Sequence, residues 1–547
     1  MGAELNQFTN HVQNKSVVEL DALIIGAGVA GLYQLHKLRS AGLNALAVDT
    51  AEDVGGTWYW NCYPGAKFDS ECYVYQYLFD EKLYKDWSWS ERFPGQPEIE
   101  RWLHYVTDRL GLRPYLRFCT TVTAAEYDEK RGRWIIKTDR GQTYDARFLI
   151  GCCGMLSAPL ENRFPGQERF RGRIFHTARW PREPIDLNGK RVGVVGVGAT
   201  GIQVIQTIAD KVGQLKVFVR TPQYVVPMKN PKYNPDDVNS YKKRFEELRE
   251  LLPTTASGFE YVIKHRWADL TPEQRLAVLE ETYNDGSLRA WLGGFDEIFT
   301  DPQISEEVSE FVREKMRARL KDPKLIEILV PTDYGFGSRR VPLESGYLEV
   351  YHRDNVEAIC VRNNPIVEVV PEGIRLADGT VHELDIIILA TGFDASSGAF
   401  IRIDIRGRDG RSLKEEWSRD ICSALGLMVH GYPNMFLTGA PLSPSAALCN
   451  MTTCLQQQVE WITDCIQYIQ AKGHNVIEPT ASFQEAWVRH HDDLANSTLF
   501  SKTNSWYTGT NVEGKPRRML SYTGGVGKYR QKCAEVAAGG YEGFAVA

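Results

Sequence analysis

Near its start the chain reads Asp21-Ala-Leu-Ile-Ile-Gly26-Ala-Gly28-Val-Ala-Gly31, an apolar run that ends in three glycines. The next residues, 32–38, have the amphipathic pattern of a helix. Glycines at this spacing between a strand and a helix predict a dinucleotide-binding turn. Gly26 permits the tight turn, Gly28 lets a pyrophosphate approach the backbone, and Gly31 allows close packing of helix and strand. The amides at the start of the helix then face the phosphate charge.

The acidic residue that belongs to such a motif follows at the end of the next apolar run. Leu46-Ala-Val leads into Asp49, twenty-three residues after Gly26. At this position a carboxylate accepts hydrogen bonds from a ribose diol. Strand, spacing and acid together predict cofactor binding rather than a purely structural turn.

A second copy of the motif reads Arg191-Val-Gly-Val-Val-Gly196-Val-Gly198-Ala-Thr200-Gly201. The strand that follows, Leu215-Lys-Val-Phe-Val, ends in Arg220 and Thr221 rather than in an acid. A guanidinium can hold a 2′-phosphate by paired, charge-assisted hydrogen bonds, whereas a carboxylate would repel it. The second turn is therefore predicted to bind NADPH in preference to NADH. A solvated surface arginine is the alternative interpretation of Arg220.

A third apolar run, Asp385-Ile-Ile-Ile-Leu-Ala-Thr391-Gly392-Phe-Asp394, is stopped by Thr-Gly. We predict that it is a strand that returns to the first nucleotide-binding domain. Two dinucleotide-binding units in one chain indicate two bound nucleotides and electron transfer between them.

Composition argues against several other classes of protein. The 547 residues carry a net charge of −6, which gives no electrostatic case for binding nucleic acid or an anionic membrane. No apolar run reaches the ~18 residues that a membrane-spanning helix needs, and residues 1–16 lack the apolar centre of a secretory signal. The eleven cysteines form no CxxC pair, so we expect free thiols, no metal site and a cytoplasmic location.

Residues between and beyond the two glycine motifs carry a family resemblance. Phe170-Arg-Gly172-Arg-Ile-Phe-His176-Thr-Ala-Arg-Trp180-Pro181 resembles the FxGxxxHxxxW(P/D) fingerprint of type I Baeyer–Villiger monooxygenases. The segment from Asp53 to Asp69 is similar to the family's segment along the flavin. Ser338-Arg339-Arg340 resembles its catalytic loop, and Asn504-Ser-Trp506-Tyr-Thr-Gly509 a loop that folds over NADP.

The resemblance implies an enzyme that binds FAD and NADPH and uses O2 to convert a ketone, cyclic or bulky, to an ester or lactone through a flavin-peroxide. In this interpretation Arg340 supplies the fixed positive charge that an anionic oxidant needs, and Asp69 orients it. An ordinary salt bridge is the alternative for this pair. The resemblance and the motifs together give the following cofactor-binding residues: Gly26, Gly28, Gly31, Asp49, Thr57, Trp58, Asp69, Tyr75, Gly196, Gly198, Thr200, Gly201, Arg220, Thr221, Arg339 and Trp506.

Phe170, Gly172, His176, Trp180 and Pro181 are expected to be structural. His176 could act as a general base, because histidine titrates near neutrality. Its place in a connector favours a structural or conformational role instead.

Two other functions remain open on the sequence alone. A related flavoprotein could oxidise an amine nitrogen or a sulfur, although Trp180-Pro181 and the Arg340 loop argue against it. A catalytically silent redox sensor would keep the glycines and lose the arginine or the aspartate, and both are present. We expect small-molecule partners only, and a monomer or weak oligomer.

The predicted fold class is α/β, with two Rossmann-like domains for FAD and NADP and a helical insertion. The FAD domain takes residues 1–156 and 385–547, and the NADP domain residues 157–228 and 331–384. Residues 229–330 form the insertion, where Thr271-Pro272-Glu-Gln274 predicts the start of a helix.

Overall fold

The computed structural model describes residues 17–161 and 164–547. The strands are, in chain order, β1 (Val18–Ile25), β2 (Ala45–Val48), β3 (Leu116–Arg117), β4 (Val122–Asp128), β5 (Arg133–Thr138), β6 (Thr143–Gly151), β7 (Arg173–His176), β8 (Arg191–Val195), β9 (Gln214–Val219), β10 (Val226–Pro227), β11 (Leu343–Glu344), β12 (Val356–Cys360), β13 (Ile366–Val370), β14 (Gly373–Leu376), β15 (Val381–Glu383), β16 (Ile386–Leu389), β17 (Asp404–Arg406), β18 (Met435–Leu437), β19 (Ile477–Pro479) and β20 (Phe544–Val546).

The α-helices are α1 (Val29–Ser40), α2 (Thr57–Trp60), α3 (Glu81–Asp86), α4 (Gln96–Arg109), α5 (Ala199–Ile208), α6 (Pro235–Lys243), α7 (Phe245–Leu251), α8 (Pro272–Asp285), α9 (Arg289–Leu292), α10 (Pro302–Arg319), α11 (Pro323–Leu329), α12 (Gly398–Ile401), α13 (Leu413–Arg419), α14 (Met451–Ala471), α15 (Ala481–Asn496) and α16 (Val526–Ala538). Within the described ranges, no helix combines the length and apolar character that crossing a bilayer requires.

The first sheet has the strand order β17-β4-β5-β6-β1-β2-β3, and β18 pairs with β6. Strand β1 is parallel to both β2 and β6. Its residues Leu23 and Ile24 are fully buried, which is typical of a strand covered on both faces. Because β17 and β18 come from the C-terminal part of the chain, the sheet is built from two distant segments.

The second sheet is entirely parallel, with the order β12-β9-β8-β16-β7. Strand β16 lies between β8 and β7, with Ile387 opposite both Gly193 and Ile174. The prediction that this strand returns to the first domain is therefore wrong. The predicted end of the NADP domain, at residue 384, lies just before β16, which is a strand of the second sheet. A continuous apolar run shows that a strand is buried on both faces, but not which sheet it joins.

Two chain segments connect the sheets. The amide of Leu160 donates to the carbonyl of Gly392 at 3.0 Å, and the amide of Asp394 donates to the carbonyl of Ala158 at 2.8 Å. The chain thus crosses from one sheet to the other twice, along neighbouring backbones.

Helices α6–α11 lie within residues 229–330. Helix α8 begins as its sequence predicts: the Thr271 hydroxyl accepts from the Gln274 amide, and the Gln274 side chain accepts from the Thr271 amide. Pro272 occupies the first turn, where its missing N–H costs no hydrogen bond.

Candidate active site

Both glycine turns open onto one cavity of about 1200 Å³. Pockets for one small molecule usually have about 300–1,000 Å³. The volume therefore suits more than one ligand. Among the described residues, no cluster of side chains could hold a metal ion.

The cavity brings together most residues of the predicted site. Its lining includes Gly26, Gly28, Asp49, Thr57, Trp58, Asp69, Tyr75, Gly196, Gly198, Thr200, Arg220, Thr221, Arg339, Arg340 and Trp506. Gly31 and Gly201 lie behind the lining. A Cβ atom at Gly31 would stand 1.9 Å from the carbonyl oxygen of Gly26, and one at Gly201 would stand 2.2 Å from that of Gly196. These two glycines permit each helix to pack against its turn.

The first turn is held by backbone contacts. Gly26 has a φ of +115°, and a Cβ there would lie 2.3 Å from the carbonyl oxygen of Cys152. The Asp49 carboxylate accepts hydrogen bonds from the amides of Ala27 (2.6 Å) and Ala51 (2.8 Å). Burial raises the pKa of Asp49, while these amide donors act in the opposite direction. The acid is thus fixed at the end of β2, beside the glycine turn.

Two arginines form a positive region at the second turn. Arg220, at the end of β9, is exposed, and Arg339 is half-buried with its guanidinium 4.1 Å from the centre of the Tyr334 ring. Burial lowers the pKa of Arg339, and the charge of Arg220 lowers it further. The Nε atom of Arg339 is buried and has no hydrogen-bond partner among the described residues. Two like charges and a free donor in one cavity wall make this region suitable for an anion.

The predicted pair of Arg340 and Asp69 is present. One guanidinium nitrogen of Arg340 donates to Asp69, and the other donates to the carbonyl of Ala446 at 2.8 Å. Burial opposes the charge on Arg340, but Asp69, Tyr507 and Cys449 together more than offset it, so that the pKa of Arg340 is raised. Arg340 therefore remains a fixed positive charge in the cavity wall.

Aromatic side chains lie next to this pair. The indole N–H of Trp58 donates to the Tyr75 hydroxyl at 3.0 Å, and Tyr75 stacks on Phe68 with ring centres 4.7 Å apart. Trp506 lies in a short 3₁₀ turn and contacts Tyr507 edge-to-face at 4.4 Å. Residues of the segment from Asp53 to Asp69 and of the loop from Asn504 to Gly509 thus line the same cavity.

The fingerprint residues lie outside the lining. Gly172 lets β7 approach β16, because a Cβ there would be 2.2 Å from the carbonyl oxygen of Asp385. Phe170 packs on the core of the second sheet, and buried Trp180 accepts at its carbonyl from the Cys62 thiol. Pro181 follows Trp180 directly.

His176 contacts Ala178 beside it in the chain and Thr391 in the segment that follows β16. Its Nδ1 accepts from the amide of Ala178 at 3.1 Å, and its Nε2 lies 3.3 Å from the Thr391 hydroxyl. Burial lowers its pKa, which favours the neutral imidazole. These contacts fit the structural role better than the general-base role.

Sequence reasoning missed several polar groups that face the cavity. Thr438 Oγ1 and Asn511 Oδ1 are buried and have no partner among the described residues, like Arg339 Nε. Unpaired buried polar atoms are costly, so a polar ligand is expected to satisfy them. Together with the two glycine turns, they fit FAD and NADP. Asn511 follows the Trp506 loop, which was a usable signal, whereas Thr438 had none.

Residues 21–310 match the profile of the family described as flavin-binding monooxygenase-like. The chain belongs to this family. It is 66% identical to an acetone monooxygenase (methyl acetate-forming) of a Gordonia species, over 97% of this chain and all of that protein. It is 39% identical to a Baeyer–Villiger monooxygenase of Pseudooceanicola batsensis, covering 96% and 95% of the two chains.

Solved structures of Baeyer–Villiger monooxygenases have the same fold as this chain. A closed structure of cyclohexanone monooxygenase superposes with a TM-score of 0.94 at 39% identity, over 97% of this chain and 100% of that chain. A structure described as OTEMO in complex with FAD and NADP gives 0.93 at 38% identity, with the same coverage of both. These findings confirm the predicted α/β fold and the Baeyer–Villiger type. They also confirm FAD and NADPH as cofactors and the oxidation of a ketone to an ester or lactone.

Proposed function

We propose that the preferred substrate is a small acyclic ketone, of which acetone is the simplest, and that the product is the corresponding ester. The observation that carries this is the 66% identity to the acetone monooxygenase, against 36% to a cyclopentanone 1,2-monooxygenase of Comamonas. The proposal differs from the cyclic or bulky ketone expected from the sequence, and the ketone panel below distinguishes the two.

Cofactor positions follow from the two turns. FAD would lie at the first turn, with its pyrophosphate at the start of α1 and its adenosine ribose at Asp49. NADPH would lie at the second turn, with its 2′-phosphate held by Arg220 and Arg339. Trp506 would cover the nicotinamide cofactor from the C-terminal loop. Bound FAD would supply the redox chemistry, namely acceptance of a hydride from NADPH and activation of O2.

Arg340 is proposed to stabilise negative charge that develops beside the ketone. A guanidinium stays protonated at every working pH, and donors that are already oriented need no rearrangement during the reaction. Asp69 orients one side of the guanidinium and the Ala446 carbonyl the other. Support comes from the burial of this charge in the cavity wall that both glycine turns share.

A ketone panel tests the substrate. Purified FAD-loaded protein is incubated with NADPH, O2 and either acetone, 2-butanone, cyclopentanone, cyclohexanone or a steroid ketone. NADPH loss, hydrogen peroxide and product mass are measured. We expect the highest kcat/KM for the acyclic ketones, with products sixteen mass units heavier. A higher kcat/KM for a cyclic or steroid ketone would reject the proposed preference.

An amine and a sulfide are included in the panel, because one relative, 38% identical, is a phenazine N-monooxygenase of Lysobacter antibioticus.

Arg340→Lys and Arg340→Ala test the role of the guanidinium. Both variants should still bind FAD, and the alanine variant should form no ester while it oxidises NADPH. Ester formation by Arg340→Ala at the wild-type rate would exclude the proposed role.

We further propose that the protein works in the cytoplasm, and that it is a monomer or weak oligomer. The free thiols of its eleven cysteines support the first part, because they fit a reducing compartment. Size-exclusion chromatography with light scattering tests the second part. A stable dimer or tetramer at micromolar concentration would contradict it.

A further inference from the structure

The loop that carries Arg340 is held in place by the helical insertion. In residues 335–338 the Ser338 hydroxyl donates to the Gly335 carbonyl at 2.8 Å, which closes a tight turn just before Arg339. The amide of Phe336 donates to the Ser309 hydroxyl of α10 at 2.7 Å. The turn therefore rests on the insertion, and also on Tyr224, whose ring centre lies 5.6 Å from that of Phe336.

Trp291 makes a second contact between the insertion and this turn. It belongs to α9 and is 1% exposed, and its indole N–H donates to the Gly337 carbonyl at 3.2 Å. Gly337 has a φ of +81°, and a Cβ there would stand 2.6 Å from the indole nitrogen. Glycine is thus required at 337 both by its backbone conformation and by the tryptophan against it.

The same indole ring also contacts the guanidinium. The Cζ atom of Arg340 lies 5.6 Å from the centre of the Trp291 ring, within the ~6 Å over which a cation is attracted to an aromatic face. Trp291 therefore touches the loop twice, at the Gly337 carbonyl by its edge and at Arg340 by its ring. Asp69 and Ala446 hold the guanidinium from two other segments of the chain.

We propose that Trp291 is a positioning residue for Arg340, and that the helical insertion acts on the reaction through it. This inference rests on the proposed role of Arg340. When the ring is lost, the guanidinium keeps its charge but loses one of the contacts that fix its direction. A misdirected charge favours loss of hydrogen peroxide over transfer of oxygen to the ketone, whereas NADPH binding at the second turn is unaffected.

The test compares Trp291→Phe and Trp291→Leu on protein that retains FAD, with acetone as the ketone. The phenylalanine keeps an aromatic face and loses the N–H donor, and the leucine loses both. We expect the ester formed per NADPH to fall in both variants. The decrease in the leucine variant should reach about tenfold, equivalent to about 1.4 kcal/mol. The KM for NADPH should stay within about twofold, the size of a minor perturbation.

Trp267 provides the matched control. It lies in the same insertion, is 7% exposed, and has the Arg275 guanidinium 4.8 Å from its ring centre. Trp267→Phe and Trp267→Leu alter a similar arginine–tryptophan contact at a site away from Arg340. Their ester yield per NADPH should match the wild type, even if their melting temperature falls.

Two results would overturn the inference: an unchanged ester yield per NADPH in Trp291→Leu, or an equal loss in the Trp267 variants. The Arg340→Ala variant distinguishes a failure of the proposed role of Arg340 from a failure of the inference about Trp291. If it still forms ester, the proposed role of Arg340 fails. If it forms none while Trp291→Leu is normal, only the inference about Trp291 fails.

Discussion

At the first glycine turn another part of the chain packs against the motif, whereas the second turn is open at the same position. A Cβ atom at Gly28 would lie 3.3 Å from the Cα of Gly56, in the segment that leads into α2. At Gly198, apart from its chain neighbours and the backbone of α5, no described heavy atom lies within 4 Å of the corresponding position. Two turns of the same sequence pattern thus have different surroundings.

The charged residues that follow the two turns differ in the same way. Asp49 is fixed by two backbone amides, while Arg220 is exposed. A closed, preorganised site suits a cofactor that stays bound, and an open site with an exposed cation suits one that is exchanged in every turnover. The difference therefore matches a resident FAD and a nicotinamide cofactor that enters and leaves.

The largest expected effect is that of Gly31→Ala. Its new methyl group would stand 1.9 Å from the carbonyl oxygen of Gly26, in a turn bounded by central strands of the first sheet. We expect the folded fraction to retain almost no FAD, measured as the flavin-to-protein absorbance ratio. Gly201→Ala introduces a similar clash at the second turn, at 2.2 Å from the Gly196 carbonyl oxygen. It should keep FAD and lose NADPH binding, and loss of FAD in both variants would remove the distinction between the turns.

A smaller, selective effect is expected for Arg220→Ala. Hydrogen bonds to a charged group contribute about 1.5–3 kcal/mol, so the Kd for NADPH should rise by about 10- to 150-fold. The Kd for NADH, which lacks the 2′-phosphate, should change little. Equal weakening of both cofactors, measured by titration of FAD-loaded protein, would show that Arg220 does not contact the phosphate.

Arg362→Ala is the control for this measurement. Its guanidinium donates to the backbone carbonyl of Arg220 at 3.3 Å and pairs with Asp333 at 2.9 Å. Arg362 is not among the described residues that line the cavity. The variant removes a neighbouring positive charge, and its preference for NADPH should remain that of the wild type.

Local patterns predicted the two turns because a strand, three glycines and a following charged residue lie within about thirty residues. The start of α8 was predictable for the same reason, since Thr271 and Gln274 bond each other's backbone amides. The contact between Arg340 and Asp69 was different. The two residues are 271 positions apart, and family resemblance rather than spacing indicated it.

Two features were beyond the reach of the sequence. Strand β16 was assigned to the wrong sheet because its apolar run would be equally buried in either one. The contact of Trp291 with Arg340 depends on how the insertion packs against the turn that precedes Arg339. A tryptophan in a short helix carries no local sign of such a contact.

The smallest effect is expected for Gly198→Ala, and it isolates what the second turn does for its ligand. Gly198 has a φ of −69°, so alanine can adopt the backbone conformation, and open space surrounds the new methyl group. Melting temperature and bound FAD should therefore equal those of the wild type. Any loss of NADPH affinity then reports how closely the pyrophosphate approaches the backbone. We expect the Kd for NADPH to rise about three- to tenfold, which corresponds to about 1 kcal/mol.

Gly28→Ala should behave differently, since its methyl group meets Gly56 as well as the ligand, and it should lower both stability and bound FAD. If Gly198→Ala proved as damaging to the fold as Gly28→Ala, the second turn would not be the open one, and the contrast between a resident and an exchanging cofactor would lose its structural basis.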